Sequence, residues 1–254
     1  MPRAIRKILA LLLLAALPAC RDKEGESADD PVNATIDFPL PGPERARAAA
    51  DRVRPGLTRD LEAQGLQFRD PVFIRAFKEE RELELWVRDR ESQKFVLFRT
   101  YPIAAASGKP GPKLAEGDRQ VPEGFYFVST SRLNPASKYH LAFNLGFPNE
   151  YDRMNGRTGS SIMIHGDQVS IGCLAMTDEK IEEIYTLVAA ALERGQPFVR
   201  VHLFPFRMTD ERMETENASE WAGFWRNLKQ GYDLFEQTRV PPQVHVVNGR
   251  YTFE

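Results

Sequence analysis

Two side chains that could carry out acyl transfer lie within one short segment, Ile164-His165-Gly166-Asp167-Gln168-Val169-Ser170-Ile171-Gly172-Cys173. The whole chain contains only two cysteines and four histidines. A thiol becomes a strong nucleophile when an imidazole accepts its proton and backbone amides stabilise the oxyanion. The segment therefore predicts Cys173 as a nucleophile and His165 as its base.

Two glycines distinguish this interpretation from an ordinary buried cysteine. Free cysteine often packs in apolar cores, and that alternative needs no glycine beside it. Gly172 before the cysteine and Gly166 after His165 indicate sharp turns or close backbone approaches. We expect the amides of Gly172 and Cys173 to bind the oxyanion. Ser170 either adds a hydroxyl donor, orients His165 or simply stabilises the turn.

A zinc site is the main alternative for the same residues. Zinc takes three or four protein ligands, and His165 with Cys173 supplies two, which His140, Asp167 or His202 would have to complete. The sequence contains neither HExxH nor CxxC. We therefore predict no metal and no cofactor. His140 either packs in the core or lies at the rim of the substrate pocket, and His202 is expected to be structural.

The elements around the segment follow from its hydrophobic pattern. Residues 162–164 form a short apolar strand that leads into His165, and Thr177 or Asp178 can cap a following helix. Cys173 would then lie in a strand-to-helix connection. Imidazole and the helix dipole would both lower its pKa and make it mostly thiolate. The apolar face of that helix consists of Ile181, Ile184, Tyr185, Val188 and Leu192.

Periodicity along the remaining chain indicates many strands and a few helices. Two short helices are expected in Glu44–Gly65, because Pro55 interrupts the pattern. Strands are expected at Val72–Phe77, Glu82–Arg88, Lys94–Ala104, Phe125–Thr130 and Phe198–Phe204, with a Gly/Pro-rich loop at 107–121, a helical segment at Thr209–Gln237 and a hairpin turning at Asn248-Gly249. The prediction is a β-rich α+β fold.

The pattern HG…SxGC resembles the L,D-transpeptidase (YkuD-like) catalytic domain family. The chain is most similar to its YafK-type subgroup, which has a similarly short loop followed by Ala-Met-Thr, here Ala175-Met176-Thr177. Further similar stretches are Phe77–Arg81, Pro122–Tyr126, Asn144–Asn149, Tyr151–Arg153, Pro205–Asp210 and the tail from Gly231 to Tyr251. The resemblance implies a β-sandwich-type catalytic domain with helical additions, mainly C-terminal. It also implies action on peptidoglycan stem peptides at diaminopimelate.

Two positions depart from the broader family pattern. Ile171 stands where the family has histidine, and Ala175 stands where it has an arginine able to hold a substrate carboxylate. Arg153 could replace that contact, as could two other cations, Arg157 and Lys113. We expect Gly166, His140 and Arg153 to contact substrate. The missing arginine favours hydrolysis of a protein–peptidoglycan bond over cross-linking of two stems.

The N-terminus is typical of an export signal. Basic residues precede an apolar run of about ten residues, too short to span a membrane. Leu17-Pro18-Ala19-Cys20 resembles a lipobox, so Cys20 is expected to be lipidated, with simple secretion as the alternative. Arg21 after it favours sorting to the outer membrane. A lipidated Cys20 leaves Cys173 as a single thiol in an oxidising compartment rather than half of a disulfide.

The formal net charge of −2 gives no reason to expect nucleic-acid binding. We expect a leader at 1–20, a tether with short helices at 21–70, the catalytic domain at 71–205 and a C-terminal extension at 206–254. Expected partners are peptidoglycan stem peptides, murein-bound lipoprotein and, through the lipid anchor, the membrane facing the periplasm. The non-enzymatic alternative is a lipoprotein that only binds peptidoglycan.

Overall fold

The computed structural model describes residues 42–254, so the leader, Cys20 and the tether up to residue 41 lie outside the described residues. The helices are α1 (Gly42–Glu62), α2 (Glu150–Met154), α3 (Asp178–Glu193), α4 (Asp210–Thr215) and α5 (Ala222–Thr238). The strands are β1 (Val72–Phe77), β2 (Glu82–Arg88), β3 (Phe95–Pro102), β4 (Ala105–Ala106), β5 (Gly124–Val128), β6 (Leu133–Asn134), β7 (Ala142–Asn144), β8 (Met163–His165), β9 (Leu174–Ala175), β10 (Val199–Phe204), β11 (Val244–Val247) and β12 (Arg250–Phe253). None of the described helices has the length and hydropathy needed to cross a bilayer.

The strands form two five-stranded sheets and one terminal hairpin. The first sheet has the order β3-β2-β1-β10-β5, in which β1 and β10 are parallel and the other pairs antiparallel. The second sheet has the order β4-β9-β8-β7-β6, in which β8 and β9 are parallel. The predicted β-rich α+β architecture is confirmed.

Strand β1 is buried along its whole length because both faces of the first sheet are covered. Successive side chains of a strand point to opposite faces. Val72, Ile74 and Ala76 join the core that also holds Leu174 of the second sheet and Val188 of α3. The run of apolar residues in β1 follows from this double burial.

The other face of the first sheet is covered by α5 and the terminal hairpin. Phe77 and Phe204 of the sheet pack there with Trp225 and Leu228 of α5 and Tyr251 of β12. Trp221, Phe224, Trp225 and Leu228 have the spacing of one helix face, and all four pack in this cluster, Trp221 and Phe224 partly buried. The C-terminal additions therefore complete the packing of the sheet.

Three expectations about local structure are wrong in detail. Helix α1 runs through Pro55 without a break. The loss of a helical hydrogen bond at an interior proline costs about 3 kcal/mol, and burial of Ala49 on one side and Leu57 on the other offsets it. The segment Thr209–Gln237 divides into α4 and α5. Strand β9 separates Cys173 from the start of α3, so the thiol does not lie at the helix terminus.

Candidate active site

Parallel pairing of β8 with β9 brings His165 and Cys173 to one face of the second sheet. Ile164 pairs with Leu174 and His165 pairs with Ala175. Cys173 precedes β9 by one residue, so alternation places it on the same face as Ala175 and His165. Diagonal neighbours on a sheet face lie about 7–8 Å apart at Cα. The two reactive side chains are therefore within reach of one another across the sheet.

His165 is held as a neutral imidazole with a defined tautomer. Nδ1 lies 2.5 Å from the carbonyl oxygen of Gly166, and because a carbonyl only accepts, Nδ1 carries the hydrogen. Burial lowers the pKa of His165, outweighing the opposite effects of that carbonyl and of Asp167. The ring of Tyr139 packs on the imidazole at 4.7 Å between centroids. Nε2 therefore carries no hydrogen, and its lone pair is available as an acceptor.

Cys173 is partly buried, and its thiol donates toward the carbonyl of Ser161 at 3.7 Å. The N–H of Met163 donates to Sγ at 3.4 Å. Burial raises the pKa of the thiol, while the Met163 amide and the charge of Lys113 act in the opposite direction. Within residues 42–254 no hydrogen bond joins Sγ to His165. The resting thiol is therefore protonated, in contrast to the expectation of a preformed thiolate.

Backbone geometry explains the two glycines of the motif. Gly172 has φ of 126°, which L side chains rarely adopt. Gly166 has no such φ, but a Cβ there would lie 2.5 Å from Asp178 Oδ1 and 2.8 Å from the carbonyl of Tyr139. Gly172 thus permits a backbone turn directly before Cys173, and Gly166 permits close packing beside the imidazole.

Ser170 stabilises the turn that presents Cys173. Its hydroxyl donates to the carbonyl of Cys173 at 2.6 Å and accepts from the N–H of Gly172 at 3.3 Å. Of the three predicted tasks for Ser170, the turn-stabilising one is what these hydrogen bonds perform. Ile171 next to it is 79% exposed, so the position that carries histidine in the broader family points into solvent here.

Helix α1 is fastened to the loop that packs on His165. Arg45 donates to the carbonyls of Ser137 at 2.9 Å and His140 at 2.7 Å. Within that loop, Tyr139 stacks on the imidazole of His165 and its carbonyl accepts from the N–H of Gly166. Residues 44–62, which had no predicted role, therefore support the wall of the site.

His140 is turned toward α1 and α3. Its Nε2 lies 2.8 Å from Glu182 Oε1, and Arg52 binds both oxygens of the same carboxylate. Burial would raise the pKa of Glu182, but the hydrogen bonds from Arg52 and His140 outweigh it and lower that pKa. His140 also lines a cavity of about 370 Å³ together with Asp167. Neither Cys173 nor His165 lines this cavity, so the expectation that His140 lies at the rim of the substrate pocket stays a prediction.

The three cations considered for a substrate carboxylate have different environments. Arg157 is buried and paired with Asp152 at 2.9 Å. Arg153 lies in α2 and donates to the carbonyl of Pro148. Lys113 is buried, pairs with Asp118 at 2.6 Å, and its charge lowers the pKa of Cys173. Lys113 is therefore the cation electrostatically coupled to the thiol.

Ala175 is fully buried between His165 of β8 and Ala105 of β4. Its side chain lies on the same sheet face as Cys173.

Metal ligation has no support in the geometry. Among residues 42–254, no three His, Cys, Asp or Glu side chains come together in a group that could hold a metal ion. His202 lies in β10 of the other sheet, between the rings of Phe73 and Phe125. It therefore does not join His165 and Cys173.

Sequence reasoning missed the long-range contacts of the site. Tyr139, which lies near the motif histidine in the fold, gave only a weak signal in the sequence. Arg45 and Glu182 gave no signal, because the contact of Arg45 spans more than ninety positions and that of Glu182 with His140 more than forty. Lys78 was recognised only within a similar stretch. It is buried, pairs with Glu123 and donates to the carbonyls of Gly111 and Val121, which fixes the 107–121 loop at an interior position and at its C-terminal end.

Comparison with known protein families identifies the family of the chain. The profile of the L,D-transpeptidase catalytic domain (YkuD) matches residues 71–203, more than half of the 254-residue chain. The fold and the motif thus define an enzyme of the L,D-transpeptidase class, and the chain belongs to that family.

Individual relatives are similar over most of the chain. A protein of Escherichia coli (strain K12) described as "Putative L,D-transpeptidase YafK" is 53% identical over 181 residues, which are 71% of this chain and 73% of the relative. The protein of the same description from Escherichia coli O157:H7 gives the same values. Among solved structures, the helical cell shape determining protein Pgp2 of Campylobacter jejuni is 18% identical, with 71% of this chain and 74% of that chain covered and a TM-score of 0.44.

Proposed function

We propose that this protein is an exported cysteine acyl-transfer enzyme that cleaves amide bonds of peptidoglycan at the L-centre of diaminopimelate. The observation that carries the proposal is the placement of Cys173 and His165 on one face of paired strands, with Nδ1 of His165 held by the Gly166 carbonyl. That arrangement leaves Nε2 to accept a proton, which is what a general base requires.

The chemistry begins from a neutral pair. As Cys173 attacks the amide carbonyl, its thiol proton passes to Nε2 of His165 and a C–S bond forms. The tetrahedral oxyanion is bound by the amide of Cys173 and by that of Gly172, whose N–H leaves its 3.3 Å contact with Ser170 Oγ to do so. The imidazolium then protonates the departing amine as the C–N bond breaks, leaving a thioester. Oxyanion donors contribute about a hundred- to a thousand-fold in rate.

The second half-reaction distinguishes hydrolysis from transfer. With water as acceptor, His165 takes a proton from water, the thioester breaks, and a carboxylate and the free thiol result. With an amine as acceptor, a new amide forms and the enzyme is a transpeptidase that joins stems or attaches a lipoprotein. The first half-reaction is identical in both cases.

The environment of Ala175 favours hydrolysis. A buried alanine at this position supplies no guanidinium to a free donor carboxylate, and Arg157 is already paired with Asp152. A side chain linked to protein through an amide has no such free carboxylate and is a better match to this site. We therefore propose release of murein-linked lipoprotein as the principal reaction. Lys113 is likewise paired with Asp118, so it too supplies no free cation to a donor carboxylate.

The proposed location is the periplasmic face of the outer membrane, with Cys20 carrying the lipid. Support comes from the basic and apolar leader and the lipobox-like Leu17-Pro18-Ala19-Cys20. An anchor with more than one acyl chain holds stably. The full chain should resist salt extraction from membranes and Cys20→Ser should not; a soluble wild type with an unmodified N-terminus would indicate ordinary secretion.

The decisive experiment incubates the purified protein with sacculi that carry covalently bound lipoprotein and with sacculi freed of it. Mass spectrometry of the products identifies which bond was cleaved or formed. We expect release of lipoprotein by the wild type and none by Cys173→Ala. Formation of diaminopimelate–diaminopimelate cross-links from tetrapeptide donors, with no lipoprotein release, would overturn the preference for hydrolysis. Turnover by Cys173→Ala equal to the wild type would remove Cys173 as the nucleophile.

A further inference from the structure

A second cavity lies away from Cys173, where β1 and β10 begin. Its volume is about 530 Å³, within the range of small-molecule sites. Because β1 and β10 are parallel, both start at this end of the first sheet. Lys78, which fixes the 107–121 loop, follows the other end of β1, and at about 3.3 Å per residue the six-residue strand separates the two ends by about 20 Å.

Five arginines line this cavity, which we call the arginine cavity: Arg69, Arg88, Arg90, Arg194 and Arg200. The cavity has one acidic lining residue, Asp70, and both of its oxygens accept from Nε of Arg90, at 2.8 and 2.9 Å. The other four guanidiniums have no carboxylate partner within residues 42–254. Four positive charges are therefore left without a counter-charge.

The excess of positive charge carries a desolvation cost at Arg200, which is partly buried. Its guanidinium packs over the ring of Phe198 at 5.0 Å, and burial lowers the pKa of Arg200. Charged groups removed from water are normally paired. Here the partner that would offset the desolvation of Arg200 is not a residue of the described chain.

The wall of the cavity is held by hydrogen bonds to both strand starts. The side-chain amide of Gln196 donates to the carbonyls of Val72 and Phe198 and accepts from the N–H of Val72. Arg88 ends β2, and Arg200 lies inside β10. These guanidiniums therefore project from regular, hydrogen-bonded structure, which limits the entropy lost when a ligand orders them.

We propose that the arginine cavity binds a phosphate-bearing polyanion, either a free phosphate ester or the headgroup of a phospholipid. Guanidinium matches both carboxylate and phosphate in a bidentate manner. A carboxylate brings one charge, whereas a phosphate monoester brings about two charges and three acceptor oxygens. Phosphate therefore satisfies four unpaired guanidiniums with fewer groups in the same volume. This binding is independent of the acyl-transfer reaction.

Calorimetric titration tests the proposal on the purified protein. Pyrophosphate, inorganic phosphate and citrate serve as probes at fixed ionic strength, and phosphatidic acid vesicles are compared with phosphatidylcholine vesicles by flotation. We expect saturable binding of pyrophosphate that weakens with added salt. Arg88→Gln and Arg200→Gln should each raise its Kd at least about tenfold, the cost of losing one charge-assisted bidentate contact. Arg226→Gln, an exposed position on α5, is the matched control and should leave Kd unchanged.

The outcomes distinguish binding of a free phosphate ester, binding of a phospholipid headgroup and the absence of phosphate binding. Pyrophosphate binding without vesicle flotation supports a free ester, and flotation lost in Arg88→Gln supports a headgroup. Tighter binding of citrate than of pyrophosphate, equal weakening by Arg226→Gln, or no saturable heat with either phosphate probe would overturn the proposal. Thermal unfolding of each variant shows that it is folded, and Arg194→Gln provides a third, more exposed position if Arg200→Gln does not fold.

Discussion

Cys173 and His165 both have environments that favour their neutral forms. Burial raises the pKa of the thiol and lowers the pKa of the imidazole. A preformed thiolate–imidazolium pair would need the opposite shifts. In the mechanism that we propose, proton transfer therefore accompanies the attack on substrate. A protonated thiol of this kind should also resist oxidation better than a thiolate does.

The first prediction concerns the acid limb of the pH–activity profile, where kcat/KM falls at low pH. Since the pKa of folded His165 lies below the ordinary value of 6.5, the base form persists at mildly acidic pH, and kcat/KM should fall only below about pH 6.5. His165→Gln should lose most of the activity and this limb with it. His245→Gln, on the exposed terminal hairpin, is the control. A midpoint above 6.5 for the wild type would contradict the burial argument.

The second prediction concerns the turn before the nucleophile. Gly172→Ala places a side chain at φ of 126°, a conformation that costs about 1–3 kcal/mol, although a Cβ there meets no atom closer than 3.6 Å. Relaxation of this strain should displace the oxyanion donors and lower kcat about a hundred-fold or more. Folding should be retained, as judged by thermal unfolding.

Gly195 offers a matched control for that substitution. It has φ of 111° with nothing within 4 Å of an added Cβ, and it follows α3 far along the chain from the motif. Gly195→Ala should therefore destabilise the protein to a similar degree and leave kcat unchanged. Equal losses of activity in both variants would show that Gly172 serves stability alone.

Local sequence predicted these residues because their signals are local. His165, Gly172 and Cys173 lie within one short stretch of sequence, so their spacing already restricts the chemistry. The task of Ser170 could not be chosen from sequence, since all three alternatives need a hydroxyl at the same place. The raised thiol pKa could not be predicted either, because it arises from burial, which outweighs the opposite effects of the Met163 amide and of Lys113, sixty positions away.

At the level of elements, α1 supports the loop that packs on His165. Arg45 near its start holds the loop containing Tyr139, and Arg52, about two turns further along, holds Glu182 of α3. The helix continues through Pro55 because buried residues on both sides pack on the rest of the protein. Sequence predicted a break there, since propensity is local and the packing that offsets it is not.

The third prediction tests Arg45 as a positioning residue. Arg45→Gln should loosen the loop whose Tyr139 stacks on His165, lowering kcat several-fold with little change in KM. The acid limb should move toward higher pH, because a more hydrated imidazole protonates more readily. Arg47→Gln on the exposed side of α1 is the control, since among residues 42–254 Arg47 pairs only with the nearby Glu44. An unchanged pH profile with lower stability would assign Arg45 a purely structural role.

At the scale of the whole molecule, the first sheet supports other elements on both of its faces. Its inner face packs on α1 and α3, and its outer face packs on α5 and the hairpin β11–β12. The Asn248-Gly249 dipeptide alone was enough to predict the hairpin. The coverage of both faces could not be predicted, because the long apolar strand β1 is equally compatible with several partners on each side.

The fourth prediction concerns global stability against pH. His202 is buried among aromatic rings, its Nδ1 has no hydrogen-bond partner among the described residues, and burial lowers its pKa well below 6.5. Below about pH 6.5 the unfolded chain binds a proton that the folded protein does not, so the free energy of unfolding falls as pH falls. His202→Phe should remove this dependence.

Thermal unfolding between pH 7 and pH 5 measures this pH dependence of stability directly. The Tm of the wild type should decline more steeply than that of His202→Phe over this interval, so the difference between them grows on acidification. His245→Phe, which alters a half-exposed histidine in the hairpin, should follow the wild type. Parallel curves for the wild type and His202→Phe would mean that His202 is protonated equally in both states.

The parallel pairing of β8 with β9 has an evolutionary consequence. Ladder hydrogen bonds, and not the intervening loop, set the position of Cys173 relative to His165. The outward-facing positions of that loop, Val169 and Ile171, are 56% and 79% exposed. Mutations there can change which molecules reach the thiol while the proton-transfer geometry is inherited intact. A library randomised at these two positions would therefore explore new specificities on an unaltered catalytic scaffold.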